Sequence, residues 1–145
     1  MTAKRILVPL DGSESAETAA AFAADLARGS GGTLRLLRVS PVPKQWVDES
    51  GRVVVYADQE MERLTAAGRD YLETIGAQLP AVPMESVVRF GKPAEEILVE
   101  ADAFGADVIV LATGKPSWFK RVTGGGIGQW LLRKARVPVV LVRAA

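Results

Sequence analysis

The sequence predicts a single α/β domain, residues 1–145, built on a five-stranded parallel sheet. The sheet is doubly wound in the Rossmann-like manner, with helices on both faces. Three observations carry this prediction. Short apolar runs alternate with longer segments of helical period, in the order β-α-β-α-β-α-β-α-β. Several of the runs are apolar on both faces, as strands between two helical layers must be. The chain has 145 residues, one domain's length and enough to bury a core without disulfides or metals.

The elements follow in order. Residues 5–10, RILVPL, are the first strand. Asp11 followed by Glu14 fits a capping box opening a helix. That helix, residues 14–28, is rich in alanine, and Ala16, Ala19, Ala20, Ala23, Leu26 and Ala27 fall mostly on one face. GSGG at 29–32 ends it. TLRLLRV, 33–39, is the second strand. Residues 40–56 hold two prolines and a turn-like DESG, and read as a loop with a small extended piece. A long helix over 57–78 is expected to turn Met61, Leu64, Tyr71, Leu72 and Ile75 inward. Residues 84–90 form the third strand. Pro93 suits the first turn of a helix that runs to about Phe104 and is stopped by Gly105. ADVIVLAT, 106–113, is the fourth and most apolar strand. A helix over about 128–135 and a last strand, 138–142, complete the order. That strand reads PVVLV from Pro138 to Val142.

Composition excludes several chemistries. The chain is 48% hydrophobic and 24% charged with a formal net charge of +1. That is ordinary for a globular protein and lacks the basic excess of a general nucleic-acid binder. Cysteine and histidine are both absent. Disulfides, thiolate zinc sites and a Ser-His-Asp triad are therefore ruled out, and acid-base work at neutral pH would need a shifted carboxylate or lysine. The N-terminus reaches Asp11 too early for a signal peptide's apolar core. No run approaches the roughly 18 apolar residues of a membrane span. A cytoplasmic protein with no membrane or nucleic-acid partner is the expectation.

In an open α/β sheet, ligands bind beyond the carboxyl ends of the strands, where the strand order reverses. Three segments meet that description: VPLDGSE after the first strand, Val39 with Ser40 after the second, and ATGKPS after the fourth. The fourth is followed by TGGGIG. Residues 113–130 contain five glycines, two lysines and an arginine. Glycine lets backbone amides approach anionic oxygens without a Cβ in the way. Gly124, Gly125 and Gly126 lead into a helix N-terminus, where free amides and the dipole favour phosphate. Lys115 adds a point charge. The competing reading of the same glycines is a plain surface loop. The segment is not a Walker loop, because Pro116 follows Lys115 where Ser or Thr is required. Asp11 likewise has two readings, a cap on the first helix and an acceptor for a ribose hydroxyl, which do not exclude each other. Trp118 and Phe119 fit packing best, and Trp130 has the spacing of a helix residue facing a neighbour.

Taken together, RILVPLDGSESAETAAAFAADLA, TLRLLRV, FGKPAEEI, ADVIVLATG and GGGIGQWLLRKARVPVVLV resemble the universal stress protein family over nearly the whole chain, apart from about 41–80. The resemblance implies a five-stranded parallel sheet and a homodimer whose last strands, here 138–142, lie against each other. In the nucleotide-binding branch it implies ATP or another adenine nucleotide at the sheet's carboxyl end, with Mg²⁺ able to accompany it. The phosphates there are held by G-x2-G-x9-G-[ST]. This sequence departs from that motif. Aligned from Asp107, the first glycine position is Ala112, and Gly114 arrives one residue early. Gly114 and Gly124 keep the nine-residue gap, but Gly125 stands at the hydroxyl position. Counted back from Pro138, the last two positions are Gly125 and Gly126. Two readings follow. In one, an adenine nucleotide is held by Pro9, Asp11 and Val39 at the nucleoside and by Ala112, Gly114, Lys115, Gly124, Gly125 and Gly126 at the phosphates. In the other, a dimeric stress protein acts through protein contacts. No catalytic residue is assigned; slow ATP hydrolysis aided by Lys115 and a metal ranks behind both.

Overall fold

A computed structural model describes residues 3–113 and 126–143. Its elements in chain order are β1 (Arg5–Pro9), α1 (Glu14–Ser30), β2 (Thr33–Ser40), β3 (Trp46–Val47), β4 (Val53–Val55), α2 (Ala57–Ala77), β5 (Met84–Phe90), α3 (Pro93–Phe104), β6 (Val108–Thr113), α4 (Gly126–Lys134) and β7 (Val139–Arg143). Five strands form one sheet in the order β5-β2-β1-β6-β7, every neighbouring pair parallel. This is the doubly wound α/β sheet that the alternation of elements predicts.

Strand alternation sends the apolar side chains to two cores. Ile6, Val8, Leu34, Leu36, Val108 and Val110 face α1 and α2. Leu7, Leu37, Val39, Ile109 and Leu111 face α3 and α4. Helix α1 buries six alanines, Ala16, Ala19, Ala20, Ala23, Ala24 and Ala27. Side chains this small let the helix lie close to the sheet. The helix ends at Gly31, whose φ of 69° is left-handed and whose N–H returns to the Ala27 carbonyl. The α3 helix begins with Pro93 and closes the same way at Gly105.

Three expectations change. The opening cap of α1 is Ser13, whose hydroxyl accepts from the Ala16 amide. Asp11 is not the cap, because the helix starts two residues later than the Asp11/Glu14 spacing implies. Met61 is exposed (37%), whereas Leu72 and Ile75 are buried. A 21-residue helix is roughly 31 Å long, but the 7-residue β5 beneath it spans only about 23 Å. The first turns of α2 therefore overhang the sheet. Finally, the extended piece inside residues 40–56 is a small antiparallel hairpin of β3 and β4. Its turn is tied by Asp48, whose Oδ1 accepts from the amides of Ser50 and Arg52 and from the Ser50 hydroxyl.

On the α3 face an ionic cluster lies within the apolar layer. The Glu100 carboxylate, 3% exposed, accepts from Arg35 Nη1 and, at 3.1 Å, from Arg89 Nη1. Arg35 also donates to Glu85 and Arg89 to Glu96, both at 2.9 Å. The Arg35 guanidinium stacks 4.1 Å from the Phe104 ring centroid. One carboxylate thus ties α3 to β2 and β5 together.

Candidate functional site

The strand order reverses between β1 and β6, and there the sheet opens. The β1–β2 pairing continues to Pro9↔Leu37, and the Leu10 N–H reaches on to the Leu37 carbonyl at 2.8 Å. The β1–β6 pairing ends at Leu7↔Ile109, although β6 itself runs to Thr113 beside β7. Proline explains the difference. Because the Leu10 N–H points to β2, strand alternation turns the Pro9 nitrogen towards β6, where it has no hydrogen to donate. The ladder stops, and the two strands part at their carboxyl ends.

Around that opening the fold brings several of the expected site residues to one rim. Pro9 is the last residue of β1, Val39 the last but one of β2, and Ala112 the last but one of β6. Val39 belongs to the α3–α4 core and Ala112 to the α1–α2 core, so the rim draws on both faces of the sheet. Gly126 opens α4 with φ 83°, a left-handed conformation that favours glycine. Gly114, Lys115, Gly124 and Gly125 lie outside the described residues, as do Trp118 and Phe119. Trp130 packs partly buried against the α3–α4 core.

Asp11 is the chemical centre of this rim. It is 8% exposed. Its Oδ1 accepts from the Ser13 amide at 3.0 Å and the Ser13 hydroxyl at 2.6 Å, an Asx turn that fixes the carboxylate. Its Oδ2 is buried and has no hydrogen-bond partner among the described residues. A buried acceptor left empty costs on the order of 1–3 kcal/mol. Among the described residues, Asp11 Oδ2 is thus the buried acceptor at this rim left without a donor. Between Asp11 and Ser13, Gly12 adopts φ 90°, which turns the chain sharply into α1.

Two residues not singled out for the site stand behind this turn. Arg38 Nη1 donates to the Leu10 carbonyl at 3.4 Å and lies 3.7 Å from where a Gly12 Cβ would be. Its guanidinium sits over the Tyr71 ring, 5.6 Å from the centroid. Among the described residues the buried Tyr71 hydroxyl has no partner meeting hydrogen-bond geometry. Burial pushes its pKa up from 10.0, helped by Glu17 and Asp11 and opposed by the Gly12 amide and Arg38. The sequence signal for Arg38 does not single it out, because it is one of two arginines, with Arg35, in a strand whose central residues are otherwise apolar. Tyr71 carries no such mark.

The chain is an open, doubly wound parallel α/β domain, a class in which ligand sites, where present, lie at the switch point on the strands' carboxyl rim. Comparison with known proteins narrows this to a family. The model of the universal stress protein family matches residues 2–143. A curated universal stress protein of Thermus aquaticus is 33% identical over 142 residues, covering 97% of this chain and 98% of the relative. Among solved structures, a universal stress protein in complex with cAMP is similar with TM-score 0.69 and 19% identity over 100% of both chains. The universal stress protein of Archaeoglobus fulgidus in complex with dAMP is similar with TM-score 0.61 and 21% identity, covering 98% of this chain and 99% of that one. The chain belongs to the universal stress protein family.

Proposed function

We propose that this protein is a cytoplasmic stress-response protein that binds an adenine nucleotide at the carboxyl rim of its sheet. The carrying observation is the empty, buried Oδ2 of Asp11, an acceptor suited to a sugar hydroxyl. Pro9 and Val39 would flank the nucleoside. The glycine segment, with Ala112, Gly114, Lys115, Gly124, Gly125 and Gly126, would carry the phosphates on bare amides. That relatives of the same fold were solved with cAMP and dAMP supports an adenine nucleotide as the ligand. Loss of the motif's hydroxyl removes an interaction worth about 0.5–1.5 kcal/mol, too little to abolish binding. Among the described residues no cluster of three or more acidic side chains could hold a metal ion, so an accompanying Mg²⁺ would rest on the phosphates. Holding the nucleotide as a signal, without turnover, is the reading we adopt. Phosphate release that disappears on Lys115→Ala would overturn that part.

The test is a thermal shift with AMP, ATP and cAMP. A nucleotide at 100 times its Kd stabilises by about 2.7 kcal/mol, or about 8 °C for a chain this size. No shift with any of the three would transfer the assignment to the second reading, a dimer working through protein contacts. One observation favours a dimer in either case. Strand β7 is an edge of the sheet and leaves Leu141 36% exposed, with Leu132 of α4 52% exposed nearby in sequence. An apolar edge of this kind calls for cover, and a second copy's β7 supplies it. A monomer by light scattering at high concentration would contradict this pairing.

A further inference from the structure

We propose that Tyr71 and Arg38 are positioning residues of the nucleotide site, holding the turn at residues 10–13 from the α2 side so that Asp11 Oδ2 is presented to a sugar hydroxyl. The proposal rests on the sugar-binding reading of Asp11 given above. The turn is held in front by its own chemistry, since Ser13 saturates Oδ1. Behind it the support comes from distant segments. Arg38 reaches the Leu10 carbonyl and lies against Gly12, and its alkyl stem passes beside Gly68, where a Cβ would meet Arg38 Cγ at 3.4 Å. Gly68 is buried in α2, and the absence of a side chain there makes room first for Val88, whose Cγ2 a Cβ would meet at 2.9 Å, and then for the arginine stem. Among the described residues Arg38 forms no salt bridge. Among those residues its half-buried charge is met by a long hydrogen bond and the Tyr71 ring.

The two unpartnered side-chain oxygens of this neighbourhood also complement each other. A carboxylate oxygen only accepts, whereas a tyrosine hydroxyl donates as well. The Tyr71 ring lies under the Arg38 guanidinium that reaches Leu10 and Gly12, and its hydroxyl faces the Gly12 amide without forming an aligned hydrogen bond, which puts it at the base of the same turn. Losing that hydroxyl or that cation removes nothing that touches a ligand directly. It loosens the backbone that aims Oδ2, and the loss should fall only on ligands that use Oδ2.

That selectivity is the test. Binding of AMP, 2′-deoxy-AMP and 3′-deoxy-AMP is measured by titration calorimetry for the wild type, Tyr71→Phe, Arg38→Met and Arg38→Lys. The wild type is expected to bind AMP about tenfold more tightly than the deoxy analogue lacking the hydroxyl that Asp11 accepts from. In Tyr71→Phe and Arg38→Met the affinity for AMP falls about three- to tenfold while that analogue is unaffected, so the preference collapses, and Arg38→Lys restores part of it. An unchanged preference, or parallel losses for AMP and both analogues, would overturn the proposal. A ligand-free arm separates this outcome from failure of the nucleotide reading. Urea midpoints of Asp11→Asn, Tyr71→Phe and the double variant should be non-additive if Tyr71 supports the Asp11 turn. Additive midpoints overturn the positioning role. Coupled midpoints with no nucleotide bound by the wild type retain it and discard the nucleotide.

Discussion

Replacing Glu100 tests whether the buried ion cluster is as dry as its geometry implies. The carboxylate is 3% exposed and accepts from Arg35 and Arg89. Removing one member of a buried pair costs about 3–5 kcal/mol, because the remaining charge stays buried without compensation. Here the cost is smaller. The Arg35 and Arg89 side chains are 18% and 30% exposed, so water reaches them in part, and each keeps a second carboxylate in Glu85 or Glu96. For Glu100→Gln, which preserves shape, we expect a loss of about 2 kcal/mol after that discount. That corresponds to about 6 °C in Tm for a chain this size. Glu100→Ala also removes the Cγ methylene, at about 0.8 kcal/mol, for a total of about 3 kcal/mol. Urea unfolding followed by far-UV circular dichroism gives both values. A Glu100→Gln variant within 0.5 kcal/mol of the wild type, a margin typical of exposed sites, would mean that water already solvates the cluster and that the argument from burial is wrong.

Three more outcomes are expected. Ser13→Ala removes the cap of α1 and one donor to Asp11, and should cost about 1 kcal/mol in urea unfolding; no loss would show that another group caps the helix. Gly32→Ala places a Cβ 2.7 Å from the Ala3 carbonyl and 2.8 Å from that of Lys4. Backbone must then shift, so about 1–3 kcal/mol should be lost, and an unchanged Tm would contradict the close approach. In a Tyr56→Phe background, Tyr71 should ionise above the usual 10.0 in a spectrophotometric titration, as burial and the carboxylates of Glu17 and Asp11 disfavour phenolate. The unfolded chain then loses its proton first. The contribution of neutral Tyr71 is intact below pH 10 and lost as pH rises through the folded pKa. A normal titration would place the hydroxyl in water.

What the sequence determined alone is the part of the fold that is local. Strands 33–39 and 84–90, the alanine face of α1, and the Gly31 and Gly105 stops are set by period, propensity and cap geometry within a few residues of themselves. The placement of Pro9, Asp11, Val39 and Ala112 at one rim was legible too, because parallel alternation puts every strand's carboxyl end on the same side. The small hairpin at residues 46–55 was only partly legible. Its strands of two and three residues are too short to show a period. The overhang of Met61 depended on comparing a helix with the strand beneath it, which no window of sequence contains. Tertiary structure alone decided the chemistry. Arg35 meets Glu100 across 65 residues and Arg38 meets Leu10 across 28, and whether Oδ2 of Asp11 is empty depends on everything that does not reach it. Hydrogen bonds and burial are satisfied by neighbours in space, so the partners of a buried charge are fixed only when the strands and helices have packed.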